Sequence, residues 1–418
     1  MRHKRVSGLI IFCYTAFRRF LLVAAAAVLL ASSVACSGDD DGLGLRGDDE
    51  LRNLTFVYMM AENSLSGYAE ADIKEMMSAA VEIPDDCALI VFVDDVLRPR
   101  ICRIYSGAKG AVCDTIHTFG KDFVSSGVDN ARMVFRRVAE RYSAQTLNVV
   151  LWSHGSGWVA GRGTSRSRSI GVDNGKNDYL NTDTEVLDIE DIPLLLSEFP
   201  VRPTVLMFDA CFMQTLETAY ALRECAQWIV ASPAEIPADG APYDLLLEHF
   251  FAHEINAAHI VDAYCDAYED AWGGVVLSVV NCDAMEQLAA CCRGLVPAAF
   301  ERARGEAVAA FSYLPGGYSS GGVDYYPDFT DANAAMQKAL DAVSYGAWRA
   351  ALDRAVPYRA TTGRWYSAVH RINYRVDREN YCGVSMYVPR EGERYKAYNA
   401  DFSSTAWYEA AGWSLTGW

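Results

Sequence analysis

Two stretches of the chain change from apolar to polar residues in the same way. Residues 204–208 are apolar or β-branched without alternation, which is typical of a strand buried on both faces. Cys211 follows this strand, and a helical pattern extends over 214–222. The segment 147–158 begins as a similar apolar run and continues into His154 and two glycines. The sequence therefore predicts a thiol and an imidazole, each at the end of a buried strand.

The N-terminal half alternates predicted strands and helices. Residues 54–60 and 88–93 are strand-like apolar runs, whereas 66–80 and 129–141 have apolar residues at helical spacing. With the strand that leads to His154, this order favours a mainly parallel sheet with helices on both faces. The carboxyl ends of parallel strands meet at one edge, where open α/β sheets bind ligands. We expect the imidazole and the thiol at that edge.

The second half of the chain has a less regular pattern. Further strands are predicted at 228–231, 275–280 and 384–388, and further helices at 188–198, 259–272, 284–304, 331–343 and 347–355. Polar segments at 161–178, 232–242 and 314–328 are predicted to be loops. Neither a repeat nor a linker interrupts 53–418, so we predict one α/β domain with a C-terminal elaboration over about 305–418.

The first 52 residues differ in composition from the rest. Basic residues precede the apolar run 20–30, and small residues then lead to Cys36. This order resembles a bacterial lipoprotein signal, in which the bond before the cysteine is cut and the cysteine is acylated. We therefore predict a signal peptide at 1–35, lipidation at Cys36 and a flexible acidic tether at 36–52. A transmembrane anchor is the alternative, but the run is shorter than the roughly 20 residues that a span needs.

The charge distribution agrees with export and limits the partners. The tether resembles acidic segments of lipoproteins on the outer face of some Gram-negative outer membranes, so we expect the protein at the outer membrane or cell surface. Residues 1–35 hold five of the 37 Lys and Arg, which leaves 32 basic residues against 54 acidic ones, a net charge of −22. This charge argues against a nucleic-acid partner, whose phosphates need basic residues, and suits basic substrates.

The cysteine spacing gives no sign of a metal site. Ten cysteines follow Cys36, without a C-x-x-C pair or another zinc-binding spacing. We predict no metal and interpret these residues as scattered core thiols, with disulfides as the alternative in an exported protein.

The imidazole and the thiol together suggest nucleophilic catalysis. A cysteine nucleophile needs a group that accepts and donates protons, and His154 can do both. Gly155 allows close backbone approach, so its N–H and that of Cys211 are candidate donors to an oxyanion. The helix predicted after Cys211 would favour the thiolate through its N-terminal dipole. A buried structural cysteine and an unrelated histidine are the alternative that composition alone favours.

Two motifs resemble those of the clostripain family of cysteine peptidases, which belongs to the caspase-like clan. They are Ser-His-Gly-Ser-Gly-Trp at 153–158 and Asp-Ala-Cys-Phe-Met at 209–213, with Glu217 and Tyr220 downstream. Further similar stretches are YMMAENSLSGYAEADIKEM near the N-terminus, ASPAEIPADG after the cysteine, and GVSMYVP and TAWYEAAGW near the C-terminus. The resemblance extends from residue 53 to the C-terminus. It implies a caspase-like αβα sandwich with a mainly parallel sheet.

The resemblance implies a cysteine endopeptidase with His154 and Cys211 as its catalytic dyad. Family members cleave proteins and peptides after Arg, and often Lys, with acidic residues that correspond here to Asp209 and Asp239. A carboxylate can bind a guanidinium through two hydrogen bonds, which agrees with this specificity. Capping of the following helix is the alternative role for Asp209.

The resemblance also implies a zymogen that is cut between the two motifs. The candidate processing sites are Arg162, Arg166 and Arg168, and Arg168 lies at about the corresponding place. An Arg-Ser bond in this loop would match the specificity that the resemblance implies, so the enzyme could process itself.

Some family members need calcium, and acidic residues of this chain could bind it. Asp94, Asp95, Asp173 and Asp178 could supply oxygen ligands, but their spacing is not that of an EF-hand. We interpret them as solvated acids and predict no cofactor.

Two other functions compete with the peptidase interpretation. Residues 317–321 fit the G-x-S-x-G pattern of serine hydrolases but lack the apolar strand that a nucleophile elbow requires. The other alternative is a catalytically silent, surface-anchored binding protein with the same fold.

Overall fold

The computed structural model describes residues 50–161, 167–173, 185–302, 310–320, 323–378 and 380–418. The predicted signal peptide, Cys36 and nearly all of the tether lie outside these residues. The part from Glu50 to Trp418 clusters as one compact unit. No helix among the described residues is long and apolar enough to cross a membrane.

The described part contains eighteen strands in several sheets. The strands are β1 Leu51–Met60, β2 Cys87–Asp94, β3 Arg100–Gly107, β4 Gly110–Thr118, β5 Ala144–Trp152, β6 Gly155–Gly161, β7 Ser167–Asp173, β8 Glu185–Asp188, β9 Val205–Asp209, β10 Trp228–Ala231, β11 Val276–Asn281, β12 Tyr318–Ser320, β13 Val323–Tyr326, β14 Thr330–Asp331, β15 Tyr358–Thr361, β16 Arg364–Ser367, β17 Ile372–Arg375 and β18 Ser385–Met386.

Within the same described residues, eleven α-helices connect or cover these strands. They are α1 Ser66–Ser78, α2 Val128–Arg141, α3 Ile192–Leu196, α4 Leu216–Ala221, α5 Tyr243–Phe250, α6 Ala257–Tyr268, α7 Met285–Ala299, α8 Ala332–Ala339, α9 Ala342–Ala355, α10 Glu393–Ser403 and α11 Ala406–Ala410.

The central sheet has nine strands in the order β15-β11-β10-β9-β5-β1-β2-β3-β4. The five middle strands, from β10 to β2, are parallel, whereas both outer pairs are antiparallel. The prediction of a mainly parallel sheet is confirmed. The outer strands β3, β4 and β15 are not predicted by the hydrophobic pattern. β4 shows the reason, because it contains no buried residue and therefore lacks an apolar signature.

Helices cover both faces of this sheet, and β1 shows how. Val57 and Met59 belong to a buried cluster with residues of α1, α5 and α6. The alternate residues Phe56 and Tyr58 point to α2, where both rings contact Phe135 at centroid distances of 5.1 and 5.2 Å. Because both faces of β1 are buried, the strand carries no polar alternation, as expected for the middle of a parallel sheet.

Two segments predicted to be loops contain strands. The segment 161–178 includes β7, which pairs antiparallel with β6 and with β8 in a separate three-stranded sheet. The segment 314–328 includes the hairpin of β12 and β13. Ser319, the centre of the G-x-S-x-G pattern, lies within β12, so it is not on a sharp strand-to-helix turn. The serine hydrolase alternative therefore lacks its structural context.

Candidate active site

His154 and Cys211 follow neighbouring parallel strands. β5 pairs with β9, with Trp152 opposite Asp209 in the register. The chain leaves both strands at the same edge of the sheet, as predicted for an open α/β fold. There His154 and Cys211 line one cavity of about 430 Å³. The structure thus brings together the thiol and the imidazole.

Gly155 lies against the backbone of Cys211. A Cβ atom at Gly155 would be 2.5 Å from the carbonyl oxygen of Cys211 and 3.0 Å from the Sδ of Met213. Any other residue would therefore push the two segments apart. This contact places the backbone N–H groups of Gly155 and Cys211, the predicted oxyanion donors, in adjoining segments.

The residue after the thiol has an uncommon backbone conformation. Phe212 has φ 61°, in the left-handed region that non-glycine residues seldom adopt. Its N–H donates to the carbonyl of Ala234 at 2.9 Å, and its ring stacks on Phe329 at a centroid distance of 4.5 Å. These contacts hold the turn that presents Cys211, because they compensate the local strain.

His154 is half-buried, and both its ring and its backbone carbonyl have polar contacts. Its Nε2 is 2.9 Å from the Oγ of Ser64, and its carbonyl accepts a hydrogen bond of 3.0 Å from the N–H of Gly171. Burial lowers the pKa of His154, so the imidazole is neutral at neutral pH. Ser64 is not predicted from the sequence, because only the fold brings the loop after β1 to the end of β5.

Cys211 is a protonated thiol in this structure. Burial raises its pKa to about 12, and the nearby charge of Glu235 adds to this effect. The N–H of Ile236 donates to Sγ at 3.4 Å and lowers the pKa of Cys211, but the net shift of the pKa is still upward. The prediction that a helix dipole favours the thiolate is wrong, because α4 begins five residues later and Thr215 caps it.

Glu235 is a further acidic residue of the cavity that the sequence does not single out. Its side chain is buried, and its Oε1 accepts hydrogen bonds from the N–H groups of Ala368 at 2.9 Å and Val369 at 3.3 Å. It therefore joins the loop after β10 to the loop after β16. Glu235 falls inside the ASPAEIPADG stretch, whose polar loop pattern does not reveal which acid is buried.

Asp209 is buried among hydroxyl groups at the cavity. Its Oδ2 accepts from the N–H of Ala241 at 3.0 Å and the hydroxyl of Tyr243 at 3.1 Å, and its Oδ1 accepts from the hydroxyl of Tyr264 at 3.3 Å. Burial raises its pKa to about 6 despite these bonds. Helix capping, the alternative role, is excluded because Thr215 is the cap of α4.

Asp239, the second predicted specificity residue, is exposed and is not among the residues lining the cavity with Asp209. Two acids of α1 form hydrogen bonds with residues around Asp209. Asp72 accepts a hydrogen bond of 2.7 Å from the Nε1 of Trp152, and burial together with Asp209 raises its pKa to about 9. Glu75 accepts from the N–H of Tyr243 at 3.1 Å.

The predicted processing residues fall mostly outside the described part of the chain. Arg162 and Arg166 are not among the described residues. Arg168 lies in β7, where its backbone is opposite Ala160 of β6. The prediction that it lies in an open loop is therefore wrong for its backbone, since a strand rich in Ser, Arg and Gly carries no continuous apolar signature.

The acids interpreted as solvated are buried where the structure describes them. Asp94, Asp95 and Asp173 are 0%, 5% and 2% exposed, whereas Asp178 lies outside the described residues. Asp95 forms an ion pair with Arg100 at 2.9 Å. The interpretation as solvated acids is wrong, because the ends of β2 and β7 turn inward rather than to the surface.

The cysteines do not form disulfides in the described part of the chain. All ten that follow Cys36 are free thiols.

Comparison with known proteins confirms the family resemblance. A model of the clostripain family matches residues 57–418. No curated protein matches the sequence significantly.

Solved structures with a similar fold cover most of this chain. A secreted C11 cysteine protease from Bacteroides thetaiotaomicron, in complex with an irreversible peptide inhibitor, is 26% identical with a TM-score of 0.74, over 87% of this chain and 99% of that one. An inactive zymogen of a C11 protease from Parabacteroides distasonis is 24% identical with a TM-score of 0.72, with the same coverage. The second comparison supports the fold alone.

The raised pKa of Cys211 predicts how the resting protein reacts with iodoacetamide. Alkylation needs the thiolate, whose fraction rises about tenfold per pH unit below the pKa. The rate at Cys211 should therefore rise about 100-fold from pH 7 to pH 9, as followed by mass spectrometry of the Cys211 peptide. A rate that is constant over this interval would show that the thiolate is already formed and would contradict the assignment.

The contact at Gly155 predicts the effect of one added methyl group. Gly155→Ala should lower the free energy of unfolding by about 1–3 kcal/mol, because the new Cβ overlaps the Cys211 carbonyl. Urea unfolding measures this loss. Gly120→Ala is the matched control, since no atom lies within 4 Å of its added Cβ. Equal stability of the two variants would refute the close contact.

Proposed function

Because the chain belongs to the clostripain family of cysteine proteases, we propose that it is an endopeptidase that cleaves after Arg or Lys with His154 and Cys211 as its dyad. One observation carries this proposal. The thiol, the imidazole and the buried carboxylate of Asp209 line a single cavity, so a nucleophile, a proton carrier and a partner for a basic side chain meet there.

The protonation states define the first step of the reaction. Since the resting pair is a thiol and a neutral imidazole, His154 accepts the proton of Cys211 as sulfur attacks the substrate carbonyl. The N–H groups of Gly155 and Cys211 donate to the oxyanion that forms. His154 then gives the proton to the leaving amine, and the acyl group stays on sulfur.

Water completes the cycle. His154 takes a proton from the water that attacks the acyl carbonyl, and the carboxylic acid leaves as the Cys211 thiol is restored. Ser64 supports these transfers, because its hydroxyl keeps the His154 ring in one orientation.

Asp209 is the proposed partner of the basic residue before the cleaved bond. Its carboxylate is buried and surrounded by further acids, so a guanidinium or ammonium group would be strongly attracted. Glu75 adds negative potential on the α1 side of this pocket, whereas Asp72, with a pKa of about 9, is a neutral carboxylic acid at neutral pH. Asp239 is proposed to act at the mouth of the pocket, since its charge also raises the pKa of Asp72 and Glu75.

Processing and location complete the proposal. We place the activating cut at 162–168, after Arg162, Arg166 or Arg168, and the lipid anchor at Cys36. The related Bacteroides thetaiotaomicron protease is described as secreted, which agrees with export of this chain. Protein substrates with accessible basic residues are the proposed partners.

The silent binding protein is retained as a second candidate for one reason. The raised pKa of Cys211 describes a thiol that does not react readily at rest. A zymogen would show the same property before processing, so an activity measurement separates the two.

Self-processing and peptide cleavage test the function together. The form 53–418 should split near 162–168 on a denaturing gel and cleave fluorogenic peptides with Arg or Lys, and not Asp, before the reporter. Cys211→Ala and His154→Ala should do neither, and iodoacetamide should abolish the wild-type activity. If the wild-type protein neither splits nor cleaves, even after limited trypsin treatment, the silent binding protein is the better account.

If the charge of Asp209 binds the basic side chain of the substrate, Asp209→Asn should cleave Arg peptides less efficiently. This change keeps a hydrogen-bond acceptor but removes the partner of the substrate cation, which costs about 2–5 kcal/mol for a buried pair. The kcat/KM for an Arg peptide should fall roughly 30-fold or more. It should also fall in the wild type as pH decreases through about 6, where Asp209 takes up a proton.

Asp114→Asn is the matched control for this substitution, because Asp114 is exposed on the outer strand β4. It should leave the kcat/KM unchanged. Unaltered cleavage of Arg peptides by Asp209→Asn would remove Asp209 from the specificity site.

A further inference from the structure

An exposed aromatic side chain lies at the rim of the active-site cavity. Trp272 is 68% exposed and is the only tryptophan among the exposed large apolar residues of the described chain. Its ring packs on that of Tyr366 at a centroid distance of 4.3 Å. Tyr366 in turn lines the cavity that holds Cys211. The apolar surface of Trp272 is therefore continuous with the cavity through one ring contact.

Pro237 completes this apolar surface on the side of the loop after β10. It lines the same cavity as Tyr366. A Cβ atom at Gly273, the residue after Trp272, would be 3.7 Å from the Cγ of Pro237 and 3.8 Å from the Cβ of Tyr366. The loop that carries Trp272 thus lies against two residues of the cavity wall. We call the surface formed by Trp272, Tyr366 and Pro237 the aromatic platform.

The loop that carries Trp272 is fixed to strand β16. The Nη2 of Arg364 donates to the carbonyl oxygens of Glu269 at 3.1 Å and Ala271 at 2.7 Å. Gly274 has φ 63°, and a Cβ atom there would be 2.6 Å from the carbonyl oxygen of Arg364. Both rings of the platform therefore belong to one fixed piece of backbone. A surface that is held in place before binding loses little conformational freedom when a ligand packs on it.

The strand order indicates which part of a peptide reaches the platform. His154 follows β5, on one side of the strand β9 that leads to Cys211, whereas Trp272 precedes β11, on the other side. Because β11 is antiparallel to β10, its start lies at the edge of the sheet where β9 and β10 end. A leaving amine lies near the imidazole that protonates it. The acyl part of the peptide therefore extends from the thiol in the opposite direction, towards β10 and β11.

We propose that the aromatic platform binds an apolar side chain of the substrate, at one of the three positions before the basic residue. This inference rests on the proposed function, because it concerns the specificity of the same site. Trp and Tyr rings offer large, rigid apolar surfaces, and an apolar surface continuous with a cavity is typical of a ligand site. Asp209 selects the basic residue, and the platform selects a residue upstream of it. The preferred substrate is therefore an apolar and basic sequence rather than any exposed basic residue.

Cleavage of paired fluorogenic peptides by the form 53–418 measures this preference. Arg is kept before the reporter, and each of the three preceding positions is changed in turn between Phe and Gly. The kcat/KM should be about tenfold higher with Phe at one of these positions, as expected for one side chain in an apolar site. Trp272→Ala should bring this ratio close to one. Absence of a preference at all three positions, or an unchanged ratio in Trp272→Ala, would overturn the proposal.

Leu415→Ala is the matched control for the lost side chain. Leu415 is also 68% exposed, and it is not among the residues lining the cavity. This variant should keep the wild-type ratio. Tyr366→Ala should lower the ratio in the same direction as Trp272→Ala, because it removes the second ring of the platform. A ratio that falls equally in Leu415→Ala would contradict a local effect of the platform.

Equilibrium binding separates this inference from the proposed function. Cys211→Ala, after the same limited trypsin treatment, should bind the Phe peptide about tenfold more tightly than the Gly peptide in calorimetric titration. Adding Trp272→Ala should remove this difference in Kd. If the wild type cleaves no peptide but the difference in Kd remains, the platform stands and the proposed function fails. Cleavage of both peptides at equal rates and with equal Kd would have the opposite meaning.

Lipid is the other apolar partner that a chain with the proposed anchor would meet. Vesicles of phosphatidylethanolamine and phosphatidylglycerol should bind the wild type and Trp272→Ala equally in a sedimentation assay. Weaker vesicle binding by Trp272→Ala, together with an unchanged peptide ratio, would assign Trp272 to the membrane surface and overturn the proposal.

Discussion

The parallel pairing of β5 with β9 is the constraint on which the site depends. Trp152 and Asp209 are opposite each other in the register, so the chain leaves both strands at the same level. The two turns then touch through Gly155, where only a glycine allows the Cys211 carbonyl to approach. A shift of β9 by one residue in this register would separate the thiol from the imidazole and turn the side chains of the shifted strand to the other face.

Buried negative charge is the second organising feature. Asp209 and Glu235 line a cavity that also holds Cys211, and both are removed from solvent. Their charges and the loss of water disfavour a thiolate, so the resting nucleophile is protonated. The same charges agree with the proposed preference for a basic substrate group. A cationic side chain in the cavity would thus lower the electrostatic cost of the thiolate as it binds, which couples substrate recognition to nucleophile activation.

The predicted elements and the observed ones differ in a systematic way. Strands buried on both faces, such as β1, β5 and β9, are predicted because their residues are continuously apolar. The outer strand β4 is not, because its exposed residues form a strand only through pairing with β3. The mainly polar strand β7 is not, because it depends on pairing with β6 and β8. Helix α5 is also not predicted. It is only eight residues long and directly follows the polar segment 232–242, so its helical spacing of apolar residues is short.

The sequence by itself determined the family, the parallel core of the sheet and the pair His154 and Cys211, because these depend on local pattern and on short motifs. Only the tertiary structure decided which acids are buried. Asp209 lies in the cavity and Asp239 at the surface, and Asp94 lies in a buried cluster although it looks like a solvated acid in the sequence. The physical reason is that desolvation and charge proximity depend on distances between segments far apart in the chain, which no local pattern encodes.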